Sequence, residues 1–474
     1  MLRCRKTDTT GPDGPTLMHN GGKKTNQQID MKIHWPEVKI PEVFTDAESY
    51  LRHLVYQGAE ERFVYDENDS NAEDLREERI KYIEHELEAL KGYEPYIIMS
   101  YDLVSFCKAK AIIVSPGYGD AINSIVNYCL GITKTEPDSF CPFESFFLRG
   151  TDLYPKLHIQ VDKTRKDEII EYLKSTYGEH HVLRAGVGHR KGHERVPVYD
   201  VHACGICIFD RPYYEIIETT DITEKESGKR MTVPKLTMEE LESLGYININ
   251  ILGMNCLTPT SQTLQLIKQN KGEIIDFDHI PDDDPSTMEF LASGNEDIDV
   301  IWGCKGIAKD FASVKPTYMQ ELCAINSLWT LNLYDDIDYY IYLVQNDKYD
   351  DRFELFEEIF SEMSKGLILY REQIICILFI MSGLSIAECE RIRRQMSTSD
   401  NLSAKNTFLD GVKSCGEYDV DEAERIWDYF MEVHGKVVSM AHYLSLTVLW
   451  YRISWLRVHY PEEFSLCYKK GLKD

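Results

Sequence analysis

Several groupings in the sequence carry residue types that could do chemistry. Cys204-Gly-Ile-Cys207 has the spacing of a redox or zinc half-site. A four-coordinate structural zinc needs two further ligands. The nearest histidines are His189, His193 and His202, and no second paired motif accompanies them. The plainer reading is a β-strand with one cysteine facing a core. Asp276, Asp278, Asp282, Asp283 and Asp284 suggest a calcium loop, but the central glycine and closing glutamate are missing. A turn around Pro281 and Pro285 that caps the next helix accounts for them. Pro116-Gly117-Tyr118-Gly119 lies between a strand-like and a helix-like segment, where backbone N–H groups can hold a phosphate. Asp120 stands where that anion would approach. Arg391, Arg393 and Arg394 form a basic knot suited to phosphate or an acidic partner. Pairing with Glu388 and Glu390 on a solvated helix face is the alternative.

The elements that must position these groups follow from periodicity. Residues 1–33, poor in apolar positions, read as a disordered tail. An extended lead-in from His34 gives way to a helix started by Thr45 or Asp46, and Asp66 to Glu78 reads as a charged connector. Ile80, Ile83, Leu87 and Leu90 define one helical face, with Gly92 as the stop. A second helix is predicted over 101–110, a short strand over 112–114, a turn over 115–120 and then another helix. LYPKLHIQV, VYDVHACGICIFD and YININILG read as strands, and DEIIEYLKSTYG as a helix ending at Gly178. From about residue 255 the pattern is helical. Ala423, Ile426, Trp427 and Phe430 share one face, and residues 441–459 are apolar nearly all round before Pro461.

Composition sets limits on function. The 474 residues hold 52 Lys plus Arg against 79 Asp plus Glu, a formal charge of −27. That balance disfavours loose binding to nucleic acid, although a local basic groove is compatible with it. Hydrophobic residues make up 43%, a globular composition sufficient for two or three domains. The longest apolar run, Ile374 to Met381, is eight residues, well short of the ~20 of a membrane span. Thirteen cysteines without paired spacing point to reduced thiols and a cytoplasmic location.

Taken in order, longer stretches resemble the alpha subunit of bacterial replicative DNA polymerase III, the family C polymerases. YEPYIIMSYDLVSFCKAKAIIVSPGYGD is similar to the family's palm entry, which ends in PGRGS. LGITKTEP, PFESFFL, VHACG, LGYININILGMNCLT, IDFDHIPDDDPSTMEFLASG and VKPTYMQEL look like successive family signatures. LYREQI, RIRRQM and SWLRVHYPEEF resemble those of the fingers. The resemblance runs from about Leu75 to Leu466. It implies an α+β chain: a lead-in over 34–74, a palm-like mixed sheet with helices over 75–270, and a mainly helical fingers-like part over 271–474.

The departures bear on activity. The family's palm supplies two aspartates on a PDxDxDF strand and a third on a KFDF strand; without gaps these positions are His158, Gln160 and Asn250. Lys156 replaces the neighbouring acid. Asp162, on the same strand face as Gln160, is a weak metal candidate. In the phosphate turn the family's Arg and Ser are Tyr118 and Asp120. A short join into VHACG leaves no room for the family's thumb. The amino-terminal PHP domain and the segments beyond HYPEEF are expected to be absent.

The resemblance therefore implies a replication-linked scaffold without nucleotidyl transfer or cofactor. It would act on a protein partner from replication or mobile-element machinery, away from membranes. Gly117, Gly119, Arg393 and Arg394 are the candidates for residual contact with a nucleotide or nucleic acid. Two adjacent arginines are expected to point apart, one into the palm-facing cleft. Active DNA-directed synthesis with magnesium on relocated ligands is the alternative, and a purely structural interaction protein is a third.

Overall fold

The computed structural model describes residues 32–471 apart from 66–70, 138–140, 189, 192–193, 196–199, 225–227, 332, 351–355 and 357–363. The predicted tail over 1–33 lies outside the described residues except for Lys32 and Ile33, and Ile33 packs against the core instead of belonging to a tail; His189 and His193 also lie outside the described residues.

Alternation builds the central sheet. In β1 (His158–Asp162), Ile159 and Val161 point one way while His158, Gln160 and Asp162 point the other. In β4 (Ile247–Met254), Ile247, Ile249 and Ile251 alternate with Asn248 and Asn250. With β2 (Val182–Val187) and β3 (Asp200–Ile208) the strand order is β1-β4-β3-β2. β1 runs parallel to β4, and the other pairings are antiparallel. The apolar face packs on α1 (Ala47–Arg62), α2 (Ala72–Ala89), α3 (Glu94–Ala109) and the helix Lys166–Tyr177. Each Ile or Val buried there contributes roughly 1.5–3 kcal/mol. The opposite face is polar over β1 and β4.

From Leu257 the chain is helical, as the pattern predicts. One core joins Leu257–Lys271, Ile307–Val314, Met319–Thr330 and the long helix Met440–His459. A second gathers α5 (Arg371–Ser382), α6 (Ile386–Gln395), Asn401–Cys415 and Val420–Val433, with Ala423, Ile426, Trp427 and Phe430 buried in it. The long helix is called α7. The architecture is thus α+β, a small mixed sheet with helices followed by a helical part.

Several local expectations change. Residues 112–114 form no strand: only Val114 makes a bridge, antiparallel to Val161, before Pro116 turns the chain away. The supposed connector ending at Glu78 is helical from Ala72, and its acids suit a helix N-terminus. Ile80, at the edge of its apolar arc, is exposed. α3 starts at Glu94 rather than 101, because its first turns are buried all round and show no single-sided period. The turn at 115–120 leads into a 3-10 turn, Gly119–Asn123, and only then into α4 (Ile125–Cys129). Pro461 opens a further helix, Pro461–Gly471. Other expectations hold. Asp46 caps α1 with a capping box to Ser49, Gly178 caps Lys166–Tyr177, and Asp284 caps the helix starting at Pro285.

Candidate functional site

The polar face of the sheet is set by pairing. His158 stands beside Asn250 across the parallel ladder, and Gly205 flanks Asn250 on the other side. Side chains at paired positions share a face, so His158, Gln160, Asn248, Asn250 and Asp162 form one surface. Gln160 is 3% exposed and Asn250 4% exposed. Among the described residues Gln160 Oε1 finds no hydrogen-bond partner, whereas Asn250 Oδ1 accepts from the Cys204 thiol at 3.6 Å.

Carboxylates stand at the two ends of this surface. Glu242 accepts from Lys156 Nζ at 2.6 Å, from Asn248 Nδ2 at 2.6 Å and from the Tyr154 hydroxyl at 2.9 Å. Asp162 Oδ1 accepts from Thr164 N at 3.0 Å, Thr164 Oγ1 at 2.8 Å and Thr258 Oγ1 at 2.6 Å. By strand rise the levels of Lys156 and Asp162 lie roughly 20 Å apart. A two-metal site needs carboxylates converging on ions ~4 Å apart. His158, Gln160 and Asn250, with Asp162 tied to three donors, do not fit that requirement.

Aromatic rings close the surface from above. Tyr118 lies 5.5 Å from His158 and 4.6 Å from His442, centroid to centroid. His442 Nδ1 accepts the Gly119 N–H at 3.1 Å, which places the ring proton of the neutral imidazole on Nε2. Gly119 has φ +62°, a conformation that glycine reaches without strain. Burial, with Arg371 and His158 nearby, pushes His442 down to about 4. Burial and Lys156 lower His158 as well.

This depression predicts an acid-sensitive fold. Above pH 6.5 both rings are neutral whether the chain is folded or not. Between pH 6.5 and 4 the unfolded chain takes up protons that the folded chain refuses, so stability falls as pH falls. His442 alone accounts for about 3 kcal/mol at most over that window. Denaturant titrations at pH 7 and pH 5 measure the loss. His442→Asn keeps an acceptor for Gly119 that does not titrate, and should flatten the pH dependence. An unchanged slope would show that His442 is not its source.

The other candidates resolve as follows. Cys204 is half-buried on β3 and Cys207 is buried on the opposite side. The Cys204 thiol, whose pKa burial raises, lies 3.6 Å from His202 Nδ1. Among the described residues, no three His, Cys, Asp or Glu side chains cluster as metal ligands. Asp276 and Asp284 serve as caps, and Asp282 pairs with Arg452 at 3.4 Å. The Gly119 amide is taken by His442, and Gly117 O accepts from Ser445 Oγ at 2.7 Å.

The arginine pair departs from expectation in part: Arg394 does reach the sheet-bearing part while Arg393 pairs locally, but the two side chains do not diverge. Arg393 and Arg394 do not point apart but converge on one carboxylate, Glu390, whose side chain is fully buried. Positions i+3 and i+4 lie on one helical face, so both guanidinium groups reach it. Arg394 also meets Asp152 at 2.7 Å and the carbonyls of Glu144 and Ser145, across from the sheet-bearing part. Glu388 instead closes the cap of α6 with Ser385, and Arg391 is exposed.

Residue typing missed a further group. Asp120 is paired with Arg371 and lies 2.9 Å from Ser439 Oγ, and Glu372 lies 3.1 Å from the same Oγ, whose single proton serves one carboxylate at a time; Glu372 also accepts from Met440 N at 3.0 Å. The signal was present in Arg371-Glu372-Gln373, charged and polar residues directly ahead of the run Ile374–Met381.

Comparison with known proteins agrees with this architecture. Residues 49–195 match the family described as bacterial DNA polymerase III alpha NTPase domain. Residues 256–416 match the bacterial DNA polymerase III alpha subunit finger domain. The chain is 26% identical over 510 aligned residues to DNA polymerase III subunit alpha of Staphylococcus aureus strain COL, covering 92% of this chain and 46% of that protein. The same-named protein of Staphylococcus epidermidis is 25% identical, with 81% and 42% covered. The chain thus spans about half the length of these curated relatives. Two consecutive matches of one family, in the order sheet then helices, carry the conclusion: the chain belongs to the bacterial DNA polymerase III alpha family.

Proposed function

We propose that this chain has lost nucleotidyl transfer and acts as a binding scaffold linked to DNA replication. The observation that carries this reading is the polar sheet face. His158, Gln160 and Asn250 occupy the positions that the resemblance assigns to metal-binding aspartates; Gln160 and Asn250 are buried, and His158 is half-buried against Tyr118, which in turn meets His442. Phosphoryl transfer depends on ions that activate the attacking oxygen and neutralise developing charge. Neutral donors at these positions do not supply that anchorage. The twelve residues 188–199 between β2 and β3 leave no room for a thumb to grip duplex.

A protein is the favoured partner, in replication or mobile-element machinery. The net charge of −27 opposes polyanions, and Arg393 and Arg394 are already matched by Glu390 and Asp152. Purified protein is expected not to extend a primed template with Mg²⁺ or Mn²⁺. Template-directed incorporation that disappears on Asp162→Asn would instead support an active polymerase with relocated ligands.

A further inference from the structure

We infer that Asp120 is a tethered anion, seated by the chain itself in a site formed by Arg371 and Ser439, which straps the Gly-containing turn onto the helical part. This inference goes beyond the functional proposal and holds whether or not the sheet face carries chemistry.

The geometry is specific to this turn. Asp120 follows Gly119 in the 3-10 turn and is paired through Oδ1 with the Arg371 guanidinium at the start of α5. The same oxygen accepts from Ser439, the N-cap of α7, at 2.9 Å. Three elements distant in sequence thus meet at one carboxylate. The adjoining contacts, Gly119 N–H to His442 and Ser445 Oγ to Gly117 O, hold the same turn to α7.

Arg371 otherwise has Glu372, 3.7 Å from its Nε. Glu372 is fully buried and also receives the Met440 N–H at 3.0 Å, so it is shared. Burial disfavours the charge on Arg371; Glu372 and Glu390 oppose that, and Arg393 and Arg394 add to it. Removing Asp120 therefore leaves a guanidinium and the Ser439 hydroxyl facing the place of a carboxylate. The Asp120 side chain is 27% exposed, so that place opens to solvent. A guanidinium beside a hydroxyl donor favours a small carboxylate or phosphate.

Asp120→Ala should lower the melting temperature by roughly 1–3 °C. Sodium formate, acetate or inorganic phosphate should restore part of that loss, relative to sodium chloride at equal ionic strength. Wild type should show no such anion-specific gain, because Asp120 already fills the site. Asp120→Asn should be destabilised without rescue, because its amide occupies the space. Asp120→Ala combined with Arg371→Met should lose the anion-specific response. Should Asp120→Ala melt too broadly to read, its refolding yield with and without formate reports the same binding. Absence of rescue beyond chloride in Asp120→Ala, or equal rescue in wild type, would overturn the inference.

Discussion

Placing aspartates together at the three positions that the resemblance assigns to metal ligands, as His158→Asp, Gln160→Asp and Asn250→Asp, is expected to destabilise the protein by roughly 3–6 kcal/mol without metal. Positions 158 and 250 are direct neighbours across the β1–β4 ladder, and 160 lies one pleat along. Like charges directly opposite one another repel, and burial penalises each ionised carboxylate. Tyr118 covers the surface, so water has little access to screen them. The variant should therefore recover stability on acidification, opposite to the acid sensitivity expected of wild type. Denaturant melts at pH 5 and pH 7.5, with and without Mg²⁺, measure both effects. The variant should also make no long products on primed template. Tyr118, Asp120 and the short β2–β3 join remain, and a grip on duplex rests on many phosphate contacts. Long Mg²⁺-dependent products would show that the scaffold still holds primer and template, and would defeat the expectation that its grip on duplex is gone.

How much of this was legible in the sequence differs from element to element. The polar sheet face was readable because strand alternation is a local property. YININILG and LYPKLHIQV each show which side chains point together, and the resemblance told which positions mattered. Segments buried on every side were harder. α3 has Tyr96 to Met99 consecutively buried, so no one-sided period marks its start. Residues 112–114 look like a strand by composition, yet a strand needs a continuous partner, and only Val114 reaches one. Pairing of charges was least visible. The tether of Asp120 to Arg371 and Ser439 spans more than 250 residues of sequence, and periodicity carries no information over that distance. The same limit hid Asp152 as a partner of Arg394. Glu390, by contrast, stood three and four residues before its arginines, a spacing that already predicts contact on a helix.

Glu390→Ala is expected to cost about 3–5 kcal/mol, the range for breaking a buried charge cluster from one side. Arg393 grips Glu390 through two bonds, Nε to Oε2 at 2.7 Å and Nη2 to Oε1 at 2.8 Å, and Arg394 Nε adds a third at 2.6 Å. Burial on its own would raise the Glu390 pKa, but the two guanidinium groups outweigh it and hold it below the ordinary carboxylate value. The cluster therefore contributes stability above the unfolded carboxylate pKa, and that contribution is lost as pH falls below it. Truncation leaves two partly buried guanidinium groups with only Asp152 as a carboxylate partner. Glu390→Gln should cost less, because the amide oxygen still accepts one bond. Glu390→Met combined with Arg393→Met should also cost less than Glu390→Ala, since no orphaned charge faces the apolar residues of α6 and their neighbours. Equilibrium urea unfolding of the three variants at pH 7 gives the order. A Glu390→Ala midpoint within about 1 kcal/mol of wild type would mean the arginines reach water or other acids instead. The contact between α6 and the segment around Asp152 would then be held by packing alone.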